Sequence, residues 1–167
     1  MKKDNIISWK RRLKELAVDY VCILVYLIVL FGICMAFYFG VFGGIPELGE
    51  LQSQLIATVT SVIPITLIFA IMDHKKGSIG KRKAQLFLYY HRKHFGASLI
   101  RNMVKFLPWQ LGHIGVIHGI YTEFDIVAIA LTYISMGLGL LLLIMGLARK
   151  DKRHLGDLIA GTQVQAR

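Results

Sequence analysis

Apolar residues dominate three long runs, at 18–42, 55–72 and 126–148, and polar segments bound each of them. A helix needs about 20 predominantly apolar residues to cross the hydrocarbon core of a bilayer. Each run therefore predicts a membrane-spanning helix. The first run is 25 residues long, enough to cross with tilt and longer than the apolar core of a cleaved signal peptide. The second carries Thr58, Thr60, Ser61, Pro64 and Thr66. Pro64 has no N–H and frees the carbonyl of Thr60, and in a membrane such a group needs a new partner. The third is rich in Leu, Ile and Met, and its Gly137, Gly139 and Gly146 allow close helix approach.

A further segment, 102–121, is more mixed. It contains Lys105, Pro108, Gln110, His113 and His118, and its apolar core, 106–121, is only 16 residues long. That length suits an interfacial or re-entrant segment as well as a short span. Gly112, Gly115 and Gly119 share one helical face, which suits tight packing inside a bundle.

Charge separates these alternatives. All 20 Lys and Arg lie in three blocks, 2–14, 75–105 and 149–167. The gaps 43–53 and 122–125 hold Glu47, Glu50, Glu123 and Asp125 and no basic residue. Short loops rich in Lys and Arg stay on the cytoplasmic side. Four crossings place every basic block there, whereas three would put the last block outside. The sequence thus predicts an all-α polytopic membrane bundle forming one domain over 1–167. Its spans are about 18–42, 55–72, 102–121 and 126–148, with a cytoplasmic loop at 73–101 and both termini cytoplasmic. Three spans are the alternative. Within the loop, the apolar stretch 86–90 is expected at the headgroup boundary.

The composition agrees: 55% of residues are hydrophobic, 18% are charged and the mean hydropathy is +0.56. The net charge of +10 is sorted by membrane side and accompanies no DNA-reading motif. Nucleic acid is therefore not an expected partner, whereas anionic lipid of the inner leaflet is. Cys22 and Cys34 sit in the first run and read as small buried side chains without disulfide or zinc spacing. His91 and His94 have no accompanying carboxylate or cysteine, so no metal or other cofactor is expected. There is no Ser/His/Asp arrangement, no phosphate loop and no HExxH, which argues against an enzyme.

Charges at a membrane edge are candidates for function. Asp19 begins the first span, and Arg12 lies seven residues before it on the same helical face, about 10 Å away. A basic residue of the second block is the natural counter-ion for Asp19. Asp157 lies in a segment with Gly and Thr that reads as an ordered turn folded back on the loops. Asp73, beside His74 and lysines, reads as a solvated cap. His113 and His118 lie on different faces, each as a hydrogen-bonded interior histidine or a proton relay. With Thr60 and Pro64 they outline a possible polar path.

These residues fall into an ordered set. The stretch from Arg12 to Asp19 resembles the opening motif of the RDD family of bacterial membrane proteins. Gly77, Gly80, Lys81 and Arg82 are similar to its glycine–lysine motif after the second span. Arg101-Asn102 followed by Leu107-Pro108 is similar to its next segment. Residues 153–162, with Asp157, are similar to its closing motif. The resemblance makes Arg12, Asp19 and Asp157 the arginine and two aspartates of the family name. Two features depart from the pattern. Glu15 stands where a small residue is common, and Gly156 rather than His directly precedes Asp157, with His154 three residues before it. The resemblance implies a multi-pass protein of the inner membrane, usually drawn with three spans, and suggests transport. Sodium or potassium exchange for protons is one suggestion, and a homo-oligomer would be needed to enclose a pathway. The competing expectation is a non-transporting scaffold or accessory protein. It would bind anionic lipid or another membrane protein through its basic face, with the three named charges as a clamp.

Overall fold

The computed structural model describes residues 7–167, so Lys2 and Lys3 of the first basic block lie outside the described residues. Four long helices form the body. They are α1 (Trp9–Phe42), α2 (Glu50–Lys75), α4 (Phe95–Thr122) and α5 (Ile126–Ala148). Three short elements, α3 (Ile79–Lys83), β1 (Leu86–Tyr90) and α6 (Leu155–Ile159), with the final strand β2 (Thr162–Ala166), gather at one end. The all-α bundle of the sequence reading is what the chain forms. The first two helices extend further into the polar flanks than the apolar runs alone indicated.

Helices α1, α2 and α5 are long and apolar enough to cross a membrane. The most apolar window of α1 contains no fully buried residue: one face is exposed, as a lipid-facing span requires, and the other, with Ile23, Tyr26 and Leu27, packs partly buried against the bundle. Cys22 and Cys34 are consequently half-buried rather than core residues. Helix α4 is 28 residues long, about 42 Å at 1.5 Å per residue, and packs against both α2 and α5. Gly112 and Gly115 make the second contact close. A Cβ at Gly115 would sit 2.8 Å from Thr132 Oγ1, and one at Gly112 would sit 3.0 Å from Ser135 Oγ.

Pro64 acts locally as its chemistry dictates. The helix widens into a π turn over Thr58–Val62, and Ile63 N reaches back to Thr58 O. Such turns occur where the regular ladder is interrupted. The freed carbonyl of Thr60 accepts from Tyr26 Oη at 2.6 Å, so α1 supplies the partner that Pro64 demands. Below this point Ile65, Phe69 and Phe106 form the apolar centre between α2 and α4.

The end elements differ from expectation. Residues 86–90, expected at the headgroup boundary, form β1 and pair antiparallel with β2, Leu88 opposite Val164. Leu86, Leu88 and Val164 bury one face of the ribbon with Ile7 and Ala84. Five consecutive apolar residues carry no period that tells strand from helix, and the polar partner strand lies at the far end of the chain.

Candidate functional site

The basic end of the bundle holds eight charged side chains in one connected cluster. Seven of them, Arg12, Glu15, Asp19, Asp73, Lys81, Arg101 and Asp157, are buried; the side chain of Lys105 is 20% exposed. Four are basic and four acidic, so the group is charge-balanced. Isolated buried charges are expensive, and only pairing with well-placed hydrogen bonds makes them tolerable.

Asp73 is the centre. Its Oδ1 accepts from Lys81 Nζ at 2.8 Å and Ser78 N at 3.2 Å. Its Oδ2 accepts from Arg101 Nη1 at 2.7 Å and Asn102 Nδ2 at 3.2 Å. The solvated cap expected for Asp73 is therefore wrong. Helix α2 carries it inward between α3 and α4, where two cations occupy it.

Arg101 bridges Asp73 to the C-terminal segment, because its Nε donates to Asp157 Oδ1 at 2.6 Å. Asp157 also accepts from Thr162 Oγ1 at 2.8 Å. Although burial alone would raise its pKa, the Arg101 guanidinium holds the Asp157 carboxyl well below the usual carboxylate range. His154 caps the short helix α6. Its Nδ1 accepts from Gly156 N at 3.1 Å, and its Nε2 lies 3.2 Å from Asp157 Oδ2, without hydrogen-bonding alignment. The histidine displaced in sequence thus still meets the closing aspartate. The segment read as an ordered turn forms a short helix and a strand instead, and that strand folds it back on the loop at 86–90.

At the other side, Glu15 accepts from Arg12 and forms an ion pair with Lys81 Nζ at 3.3 Å. Asp19 Oδ1 accepts from Gly80 N at 2.8 Å and its Oδ2 from Ser78 Oγ at 2.7 Å. Its nearest cation is Lys105, at 4.0 Å, a residue of the second basic block as expected. Arg12 and Asp19 have different direct partners and are linked through Glu15, Lys81 and Ser78. Gly77, at φ +86°, ends α2, and Gly80 lets α3 lie on α1. Lys81 is fully buried, whereas Arg82 beside it is exposed.

The groups read as a polar path make separate local contacts. Thr60 Oγ1 bonds back to Ile56 O at 2.6 Å. His113 bonds to Trp109 O at 3.1 Å and stacks on that ring. His118 bridges the two acidic gaps, with Nδ1 2.8 Å from Glu50 Oε1 and Nε2 3.4 Å from Asp125 Oδ2. Sequence reasoning passed over Glu15, Asp73 and Lys105 as parts of the cluster; a carboxylate at a helix end among lysines was the available signal.

Burial pushes the His154 imidazole down to about 3 from its ordinary value of 6.5, with Arg101, Lys105 and Arg12 adding to the effect against Asp157. Between these values the unfolded chain binds a proton that the folded chain refuses, so stability rises with pH across that window. We expect the melting temperature to hold above about pH 7 and to fall as the pH drops towards 4. The slope is at most about 1.4 kcal/mol per pH unit from this group. In thermal scans at several pH values, His154→Gln should flatten the decline; an unchanged decline would contradict the assignment.

The apolar faces of the helices and the buried ion cluster at one end define a multi-pass helical membrane protein. Residues 7–161 match the family model of the RDD family, and the chain belongs to that family. No curated protein and no solved structure matches it.

Proposed function

We propose that this protein exchanges a small monovalent cation for a proton across the inner membrane, with its basic end cytoplasmic, and that the Asp19–Lys105 pair is the exchange site. One observation carries the reading. Arg12, Lys81 and Arg101 each make a contact of 3.3 Å or less to a cluster carboxylate, whereas Lys105 stands 4.0 Å from Asp19. Its ammonium instead lies over the rings of Phe69 and Phe106, at 4.4 and 5.1 Å from their centroids.

Lysine is the one cation of the two types present that gives up its proton readily when buried. When Lys105 loses a proton and becomes a neutral amine, Asp19 keeps its charge and its Ser78 hydroxyl. A sodium or potassium ion can then take the position beside Asp19 Oδ2. One positive charge leaves and one arrives, so the balance of the cluster is unchanged. Arg12, held by Glu15, stays charged throughout and tunes the site. A homo-oligomer would supply the remaining wall of the pathway; a strictly monomeric particle in mild detergent counts against that route.

A second reading has its own support: all four carboxylates of the cluster already hold protein donors, the arrangement of a clamp in a non-transporting scaffold. Asp19→Asn separates the two when sodium- or potassium-driven proton flux is measured in proteoliposomes and the fold is checked by gel filtration. Exchange predicts a folded variant without flux. A variant that loses its fold, beside a folded wild type without flux, favours the clamp.

A further inference from the structure

Helices α1, α4 and α5 line a half-open cavity of about 720 Å³, a volume that holds small ligands. Leu16, Ile23, Leu24 and Leu27 of α1 face Leu142 and Leu143 of α5 across it. Such walls offer nothing to an ion and suit a hydrocarbon chain.

The basic end of this cavity is different. Arg12, Glu15, Arg101, Lys105 and His154 border it. Arg101 has Nε and Nη1 committed to Asp157 and Asp73. Arg12 is not used up. Its Nη1 is held by Glu15, but its Nε is buried and has no hydrogen-bond partner among the described residues, although Arg12 is only 3% exposed. A buried donor of a charged group left without an acceptor carries the full cost of its desolvation. Lys105 adds a second cation with only a distant partner. His154 adds a third donor, since its Nδ1 accepts from Gly156, which leaves the hydrogen of a neutral imidazole on Nε2. Glu15 is the one carboxylate on the cavity wall among the described residues; behind the wall Asp19 lies 4.0 Å from Lys105 and Asp157 lies 3.2 Å from His154 Nε2.

We infer that this cavity binds an anionic glycerophospholipid of the surrounding bilayer, its phosphate on Arg12 Nε–H and Lys105 and an acyl chain along the leucine walls. Charge complementarity selects the occupant. A zwitterionic lipid brings an ammonium towards three cations, and a free inorganic anion leaves the apolar walls unfilled. Gly146 of α5 keeps the head region open: a Cβ there would lie 3.4 Å from Arg12 Nη2. The inference does not depend on ion exchange at Asp19.

Trp109 borders the cavity, and the chain's other tryptophan, Trp9, is 58% exposed and can be removed. The test uses the full-length Trp9→Phe protein in phosphatidylcholine nanodiscs. They carry a minor, equal fraction of brominated phosphatidylglycerol or brominated phosphatidylcholine, and Trp109 fluorescence is read. The brominated phosphatidylglycerol is expected to quench with about tenfold higher apparent affinity, the factor that 1.4 kcal/mol represents. Equal quenching by the two lipids, or none by either, overturns the inference, and this comparison needs no change at the site. Arg12→Gln is expected to abolish the preference; a folded Arg12→Gln that keeps it overturns the inference too. Gly146→Leu fills the head region and leaves every charge in place. It is expected to weaken the quenching by brominated phosphatidylglycerol, and quenching unchanged from the parent also overturns the inference.

Discussion

Arg101→Ala is expected to cost about 3–5 kcal/mol, a large share of the 5–15 kcal/mol that holds a typical domain folded, and in practice to prevent recovery of folded protein. The reason is not that a buried ion pair is intrinsically strong, since desolvation takes back most of its Coulomb energy. Rather, one guanidinium serves two carboxylates that have no other route to water. Its Nη1 holds Asp73 and its Nε holds Asp157, so its removal leaves Asp157 without its arginine and Asp73 with Lys81 alone as counter-ion. It also unties the C-terminal segment from α2, because these are the contacts that span the two. Arg101→Lys should rescue only in part: an ammonium is a point charge without the planar fork that addresses two partners at once. Arg82, exposed in the neighbouring motif, is the control, and Arg82→Ala should stay within about 0.5 kcal/mol of wild type. Thermal unfolding in detergent, read beside gel filtration, measures all three. An Arg101→Ala protein that melts with the wild type would refute the role given to the cluster.

Gly80→Ala is the second large effect, and it adds only one methyl group. A Cβ at this position would meet the Glu15 carbonyl oxygen head-on and lie 2.6 Å from Asp19 Oδ1. Neither atom can yield easily. The carbonyl belongs to the backbone of α1, and Asp19 is held by Ser78 and by the N–H of Gly80 itself. Helix α3 must therefore move off α1, which breaks the Gly80–Asp19 bond and pulls Lys81 from Glu15 and Asp73. We expect a loss of about 3 kcal/mol or more, the overpacking cost plus unmade buried bonds. Gly49→Ala is the comparison, because only the Gln52 side chain lies near it, at 3.8 Å; it should be close to neutral in the same unfolding assay.

The sequence made the apolar helices legible because a lipid-facing span is an uninterrupted local signal. It also showed that Pro64 would free the Thr60 carbonyl, a consequence of covalent structure alone. The identity of the partner, Tyr26, was not legible, since 34 residues separate the two. The same limit explains the cluster. Arg12, Asp19 and Asp157 stood out as charges near membrane edges, and a counter-ion from the second block was foreseen for Asp19. What local pattern could not reveal is that Asp73 is the hub. Beside His74 and Lys75 it looks like any solvated helix end, and its burial depends on Lys81 and Arg101 arriving from separate elements. Glu15 stood out only as a departure from the family pattern, with no partner indicated. The ribbon was missed for a related reason: β2, Thr-Gln-Val-Gln-Ala, has little apolar signal, and its pairing with β1 joins residues up to 80 positions apart, as Leu86 and Ala166 show.

Asp19 and Lys105 form the longest ion pair of the cluster among the described residues, and the central claim is the proposal that Lys105 surrenders the exchanged proton. Sodium- and potassium-driven proton flux in proteoliposomes, wild type beside Lys105→Arg, tests it most directly. Arginine keeps the positive charge beside Asp19 and the balance of the cluster, but it does not deprotonate in proteins. The account predicts flux in the wild type and a folded Lys105→Arg protein with none. Wild-type flux retained in Lys105→Arg, or a folded wild type that moves no protons at any pH tried, would contradict it.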